Sequence, residues 1–79
     1  MDDPDVTQTL DARGLNCPLP VLKTKKALDG IEPGQILEVI STDPGSRSDM
    51  AVLVQRLGHE LLQTKESGGE ISFFIRKKE

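Results

Sequence analysis

Six stretches of patterned hydrophobicity, separated by glycine and proline, run the length of the chain. From Val6 to Ala12, the side chains of Val6, Gln8, Leu10 and Ala12 share one side at a period of two. Thr7 and Thr9 favour extended backbone, so the segment reads as an edge strand. After the turn Arg13-Gly14-Leu15-Asn16, a good helix sequence runs through Asp29. Proline is tolerated in a first helical turn, where the amides have no intrahelical partner and φ is already near the helical value. The helix is therefore predicted to start at or just after Cys17. Its apolar stripe holds Val21, Thr24, Leu28 and Ile31, with Lys23 and Lys26 on other faces and Lys25 near the stripe's edge. Gly30 ends it, helped by Pro33-Gly34.

Gln35 to Thr42 is dense in Ile, Leu and Val with only Glu38 interrupting, the mark of a central strand. Asp43-Pro44-Gly45 breaks it. Ser46, followed three residues later by Asp49, resembles a capping box with Asp in place of Glu. Met50, Leu53, Val54 and Leu57 then recur at helical spacing until Gly58. Glu60–Glu66 and Glu70–Lys77 flank Ser67-Gly68-Gly69, which predicts a β-hairpin whose second strand alternates Ile71, Phe73 and Ile75. The order βαβαββ places the chain in the α+β class. The expectation is a two-layer α/β sandwich, with two helices packed on one face of a mixed four-stranded sheet and the other face largely solvated. Residues 1–79 are expected to form a single domain, with residues 1–5 disordered.

A domain of 79 residues buries only about two thirds or less of the surface its unfolded chain exposes. Little is left over for a deep substrate pocket. No apolar run approaches the ~20 residues of a membrane span, and the start, Met1-Asp2-Asp3-Pro4-Asp5, is acidic where a secretory signal would be basic. A soluble, cytoplasmic protein is expected. The net charge of −3 has the wrong sign for a nucleic-acid footprint, and Phe73 and Phe74 are the whole aromatic complement. Direct binding of RNA or DNA is accordingly a minority reading.

One cysteine, Cys17, excludes an internal disulfide, and with one histidine, His59, it cannot close a zinc site of four protein ligands. No metal or other cofactor is expected. Chemistry at Cys17 therefore needs a second molecule. The residue sits where a helix begins, and a helix N-terminus stabilises a thiolate through unpaired amides and the positive end of the dipole. Pro18 and Pro20 carry no amide hydrogen, which leaves Leu19 and Val21 as the nearest donors. The thiol pKa is expected below the unperturbed value of about 8.5. A free cysteine is often only a small core residue. Here its position at an element boundary, between a Gly-Leu-Asn turn and a Pro-Leu-Pro start, favours the reactive role.

The run Gly14-Leu15-Asn16-Cys17-Pro18-Leu19-Pro20 closely resembles the Cys-Pro-x-Pro motif of the TusA-like (SirA/YedF-type) sulfur carrier family. The resemblance continues in Leu10-Asp11-Ala12, Pro33-Gly34, Thr42-Asp43-Pro44, Asp49 and Ile75-Arg76-Lys77, and so covers nearly the whole chain. It implies a sandwich like the C-terminal domain of a bacterial translation initiation factor, with the cysteine exposed at the first helix. Family members accept sulfane sulfur as a persulfide from a cysteine desulfurase or a rhodanese-type donor. They relay it to an acceptor cysteine on a partner protein, for tRNA 2-thiolation, molybdenum cofactor maturation or sulfur oxidation. By position the persulfide carrier here is Cys17. A sulfurtransferase-type carrier is implied rather than a stand-alone catalyst.

Pro18, Leu19, Pro20, Gly14, Asp43 and Asp49 are expected to support the site. For the two aspartates the structural role is the stronger one: Asp43-Pro44 ends a strand and Asp49 complements a helix dipole. Arg13, Lys23, Lys25 and Lys26 surround the cysteine, and Arg13, Lys23 and Lys26 are the candidate contacts for an acidic partner surface or an anionic donor. His59 is expected to be structural. Two other classes compete with the carrier. A thiol oxidoreductase would need a resolving cysteine where Pro20 stands. An RNA-binding or regulatory module rests on fold analogy alone, a weak warrant.

Overall fold

In the central strand every second side chain turns inward: Leu37, Val39 and Ser41 are buried while Ile36, Glu38 and Ile40 are only partly covered. This alternation sets the layers of the computed structural model, which describes residues 5–16 and 18–79. The elements are β1 (Gln8–Ala12), α1 (Leu19–Asp29), β2 (Ile36–Ser41), α2 (Ser46–Leu57), β3 (Glu60–Ser67) and β4 (Glu70–Arg76). The sheet order is β1-β2-β4-β3, with β1 parallel to β2 and the other two pairings antiparallel. Both helices cover one face, as the βαβαββ pattern predicts. The expected disorder of residues 1–4 lies outside the described residues.

The core between the layers joins Ala12 of β1, Leu37 and Val39 of β2, and Ile71, Phe73 and Ile75 of β4 to Leu28, Ile31, Met50 and Val54. Burying each of these large side chains stabilises the fold by about 1.5–3 kcal/mol. Gly68 and Gly69 both have positive φ, 58° and 83°, as a two-residue hairpin turn between right-twisted strands requires. In β3 the register slips between Leu61 and Gln63, so Leu62 is an extra residue in a bulge.

The structure corrects four readings of the pattern. Pro20, Thr24 and Leu28 are the buried residues of α1, and Val21 is only half-buried. Gly45, not Ser46, is the N-cap of α2; the Ser46 hydroxyl turns back and donates to the Asp43 carbonyl at 2.7 Å. The uncovered face of the sheet is not uniformly wet, because Phe74 lies on it at 3 % exposure, paired across strands with Glu38 and Gln63. Val6 falls before β1 rather than within it.

The C-terminal residues are fastened to the end of the molecule away from the start of α1. The Lys77 carbonyl accepts from the Gly34 amide and the Lys77 amide donates to Gln35, both at 2.9 Å. The Lys77 ammonium donates to the Ile31 carbonyl at 2.7 Å. Gly58, at φ 81°, closes α2 while the His59 amide donates to Val54 and the Gly58 amide to Gln55, a Schellman motif.

Candidate functional site around the start of the first helix

β1 delivers the chain to the Cys-Pro-Leu-Pro segment through a tight turn. The Leu15 amide donates to the Ala12 carbonyl at 3.3 Å, and Gly14 between them has φ 80°. A Cβ on Gly14 would meet nothing within 4 Å, so glycine serves the backbone angle there and not a close approach. The Gly14 amide donates to the Thr42 hydroxyl just past the end of β2, at 2.9 Å. Cys17 itself lies outside the described residues; its neighbours define the site.

On the helix side, the Leu19 amide donates to the Asn16 carbonyl at 2.9 Å and the Leu22 amide to the Pro18 carbonyl at 3.0 Å. Pro18 is the N-cap of α1 and supplies no side-chain cap. The Leu19 amide, one of the two donors expected nearest the sulfur, is therefore taken by Asn16. No acidic residue occupies the first turn of α1, so the positive end of its dipole meets no carboxylate of its own helix. Leu19 is 46 % exposed, while Pro20 is buried beneath it. The Thr24 hydroxyl donates to the Pro20 carbonyl at 2.7 Å and keeps the first turn in place from below.

Asp43 shapes the turn that follows β2. Its amide is bound by the Ser41 hydroxyl, its carboxylate accepts from the Gly45 amide at 3.0 Å, and its carbonyl receives both the amide and the hydroxyl of Ser46. These bonds build the turn that starts α2. Asp49 sits in the first turn of α2 and lines an open groove of about 320 Å³ with Pro18, Val21, Val52, Leu53 and Arg56. The groove is mostly apolar, and its walls come from the start of α1 and from one side of α2 between Asp49 and Arg56.

Arg13, expected to be available to a partner, is already engaged. Its guanidinium binds Asp11 at 2.9 Å and reaches Glu70 at 3.4 Å. Hydrogen bonds from the Arg13 side chain and amide hold the Asp11 carboxyl down at about 2, and the same pairing raises the guanidinium further above its ordinary range. Lys23 and Lys26 are exposed on α1. With Leu19 and Leu22 they occupy i, i+3, i+4 and i+7, a single outward face. Leu22 and Val52, at 56 % and 49 % exposure, were missed in the sequence together with Arg56 and the hydroxyl of Thr42. The signal for Leu22 was a leucine that lies off the buried stripe of its helix. Val52 offered the same signal on α2. Among the described residues, no cluster of His, Cys, Asp and Glu is placed to hold a metal.

Fold and site together define the class: a small α+β sandwich whose proline-flanked segment crosses from an edge strand onto the first helix. The chain belongs to the family described as Sulfurtransferase TusA, whose model matches residues 8–77. It is 51 % identical over 73 residues to the sulfur carrier protein TusA of Allochromatium vinosum, covering 92 % of this chain and 96 % of the relative. With the sulfur carrier protein TusA of a Pseudomonas putida strain it shares 46 % identity, over 87 % of this chain and 86 % of the relative. Among solved structures, a SirA-like protein from Desulfitobacterium hafniense superposes with a TM-score of 0.81 at 29 % identity, covering 92 % of this chain and all of that one.

Proposed function

We propose that this protein is a sulfur carrier that stores sulfane sulfur as a persulfide on Cys17. In loading, the Cys17 thiolate attacks the outer sulfur of a donor persulfide. A new S–S bond forms at Cys17, the donor's S–S bond breaks, and its electron pair leaves on the donor cysteine as a thiolate. Delivery repeats the step in the other direction: an acceptor thiolate takes the outer sulfur and Cys17 departs as thiolate. No external oxidant or reductant is consumed. The single cysteine also removes any neighbouring thiol in this chain that would resolve the persulfide as a disulfide.

The observation that supports this reading is that Pro18-Leu19-Pro20, which follow Cys17 in sequence, open α1 with no side-chain cap and no acidic residue in its first turn, in a chain of the TusA family. The donor is a cysteine desulfurase or a rhodanese, and the acceptor is a cysteine on a second protein, in the cytoplasm. The routes open to the delivered sulfur are tRNA 2-thiolation, molybdenum cofactor maturation and sulfur oxidation. The groove beside Pro18, with Leu19 and Leu22 exposed and Lys23 and Lys26 flanking them, supports docking of an acidic, partly apolar partner surface. A nucleic-acid module has less support, because both phenylalanines are buried and leave no aromatic surface for base stacking.

The test is intact-protein mass after incubation with a desulfurase and cysteine. One added sulfur atom, lost on reduction and missing in Cys17→Ser, is the expected result. A wild type that gains no sulfur, or a Cys17→Ser variant that gains as much, defeats the proposal.

A further inference from the structure

The turn that leads from β1 to Cys17 is fastened to the rest of the molecule by a side chain that lies 28 residues further along. The parallel ladder between β1 and β2 ends at the pair Ala12 and Ser41. Beyond that rung the backbones part, since Gly14 must take a positive φ to turn the chain toward Asn16. A turn closed by the Ala12 carbonyl and the Leu15 amide uses those two groups and leaves the Gly14 amide in need of an outside acceptor. The hydroxyl of Thr42, one residue past the ladder, supplies it at 2.9 Å and adds a side-chain rung where backbone pairing has run out.

Thr42 is itself firmly placed. Ser41 ahead of it is buried in the sheet, and Asp43 behind it is held by Ser41, Gly45 and Ser46 in the turn that begins α2. One hydroxyl thus joins the loop before Cys17 to the turn that sets Asp49, Val52 and Leu53, the α2 wall of the groove. The opposite wall, Pro18 and Val21, follows directly from the loop that this hydroxyl restrains.

Resting on the carrier reading, we infer that Thr42 is a positioning residue: its hydroxyl fixes the Gly14 turn, and with it the approach to Cys17, relative to the start of α2. The bond is exposed, so water replaces it at little cost to folding; what it adds is a single arrangement of the loop. Without it the loop samples positions further from the positive end of α1, and the thiolate loses part of its stabilisation.

The experiment compares wild type, Thr42→Val and Thr42→Ser in three measurements: hydrogen exchange of the Gly14 amide, the pH midpoint of Cys17 alkylation by iodoacetamide, and the rate of sulfur loading from a desulfurase. Valine keeps the shape and removes the acceptor. In Thr42→Val the Gly14 amide is expected to exchange about fivefold faster, the scale of one neutral hydrogen bond. The alkylation midpoint moves toward the unperturbed cysteine value near 8.5, and loading slows. Serine restores all three. The thermal midpoint stays near that of the wild type in both variants. A Thr42→Val protein with a wild-type midpoint and loading rate overturns the inference, as does a Thr42→Ser protein that behaves like Thr42→Val. If the wild type takes no sulfur, the carrier reading falls instead, and the exchange and alkylation comparison still decides whether Thr42 positions the loop.

Discussion

The hydroxyl of Thr24 reaches back one helical turn to the carbonyl of Pro20 at 2.7 Å, and both residues are buried beneath α1. Proline at the second helical position contributes no amide, but a first-turn amide has no intrahelical acceptor, so α1 loses no internal bond by it. The buried Thr24 hydroxyl bonds backward instead of to solvent and so satisfies its own polar atom while tying the first turn to the second.

Replacing Thr24 by valine keeps the volume and deletes this bond. The expected loss is about 1 kcal/mol, with a fall of several degrees in Tm for a domain of this size. Urea midpoints measured for both proteins, with the m-value unchanged, check it. A stability equal to that of the wild type would show that packing alone holds Pro20 in place.

Docking through the groove makes a separate prediction. Leu22→Glu and Val52→Asp alter side chains that are about half-exposed, so each should change stability by no more than about 0.5 kcal/mol. Both should depress sulfur loading by the donor protein about tenfold or more, as loss of an apolar anchor in an interface does. Cys17 alkylation by a small reagent should be unaffected. Lys23→Glu and Lys26→Glu should slow loading chiefly at low salt, the signature of steering by surface charge. Loading rates that none of these four variants changes would move the docking surface elsewhere.

His59 gives the fold a pH dependence with a definite sign. Burial, and then the charges of Lys78 and Lys77, lower its pKa below the ordinary 6.5, while Asp29 pulls in the other direction. Geometry agrees, because Nδ1 accepts the Lys78 amide at 3.0 Å and the imidazolium has no lone pair for it. The unfolded chain takes up the proton near 6.5 and the folded chain only at lower pH, so between those values the unfolded state binds more protons. Stability therefore declines as pH falls below about 6.5 and levels off once the folded ring is also charged. His59→Gln offers an amide oxygen in place of Nδ1 and does not titrate. Urea midpoints from about pH 8 to about pH 5 should slope less in that variant; parallel slopes would remove His59 from the account.

Much of this architecture could be read from the residues alone. Alternation in β2 and β4, and the spacing of Met50, Leu53, Val54 and Leu57, each matched one period unambiguously, and these elements fall within a residue or so of their expected bounds. The errors occur where a long-range partner decides. Val21 and Pro20 are both compatible with helical spacing, and only the position of α2 makes Val21 a groove wall while Pro20 goes under. Ser46 has the right chemistry for a cap, yet the helix begins one residue earlier with Gly45 as N-cap, and the Ser46 hydroxyl turns back to donate to the Asp43 carbonyl. For Arg13 the sequence did not show its ion pairs with Asp11 and Glu70, the second of them 57 residues away. The neighbourhood of Cys17 was legible from Gly14 to Pro20 because the motif is contiguous. Thr42, Val52 and Arg56 were not, since no periodicity records which surface positions the fold brings to the start of α1.

Phe74 hides its ring on the side of the sheet that no helix covers, and the large apolar side chains left in the open among the described residues are Leu19, Leu22 and Val52, all on the two helices. The molecule accordingly keeps its large exposed apolar side chains, among the described residues, on the helix side of the sheet. On the docking proposed above, a partner finds its apolar anchors on the helix side, within a few side chains of Pro18, so the surface that captures it also orients it.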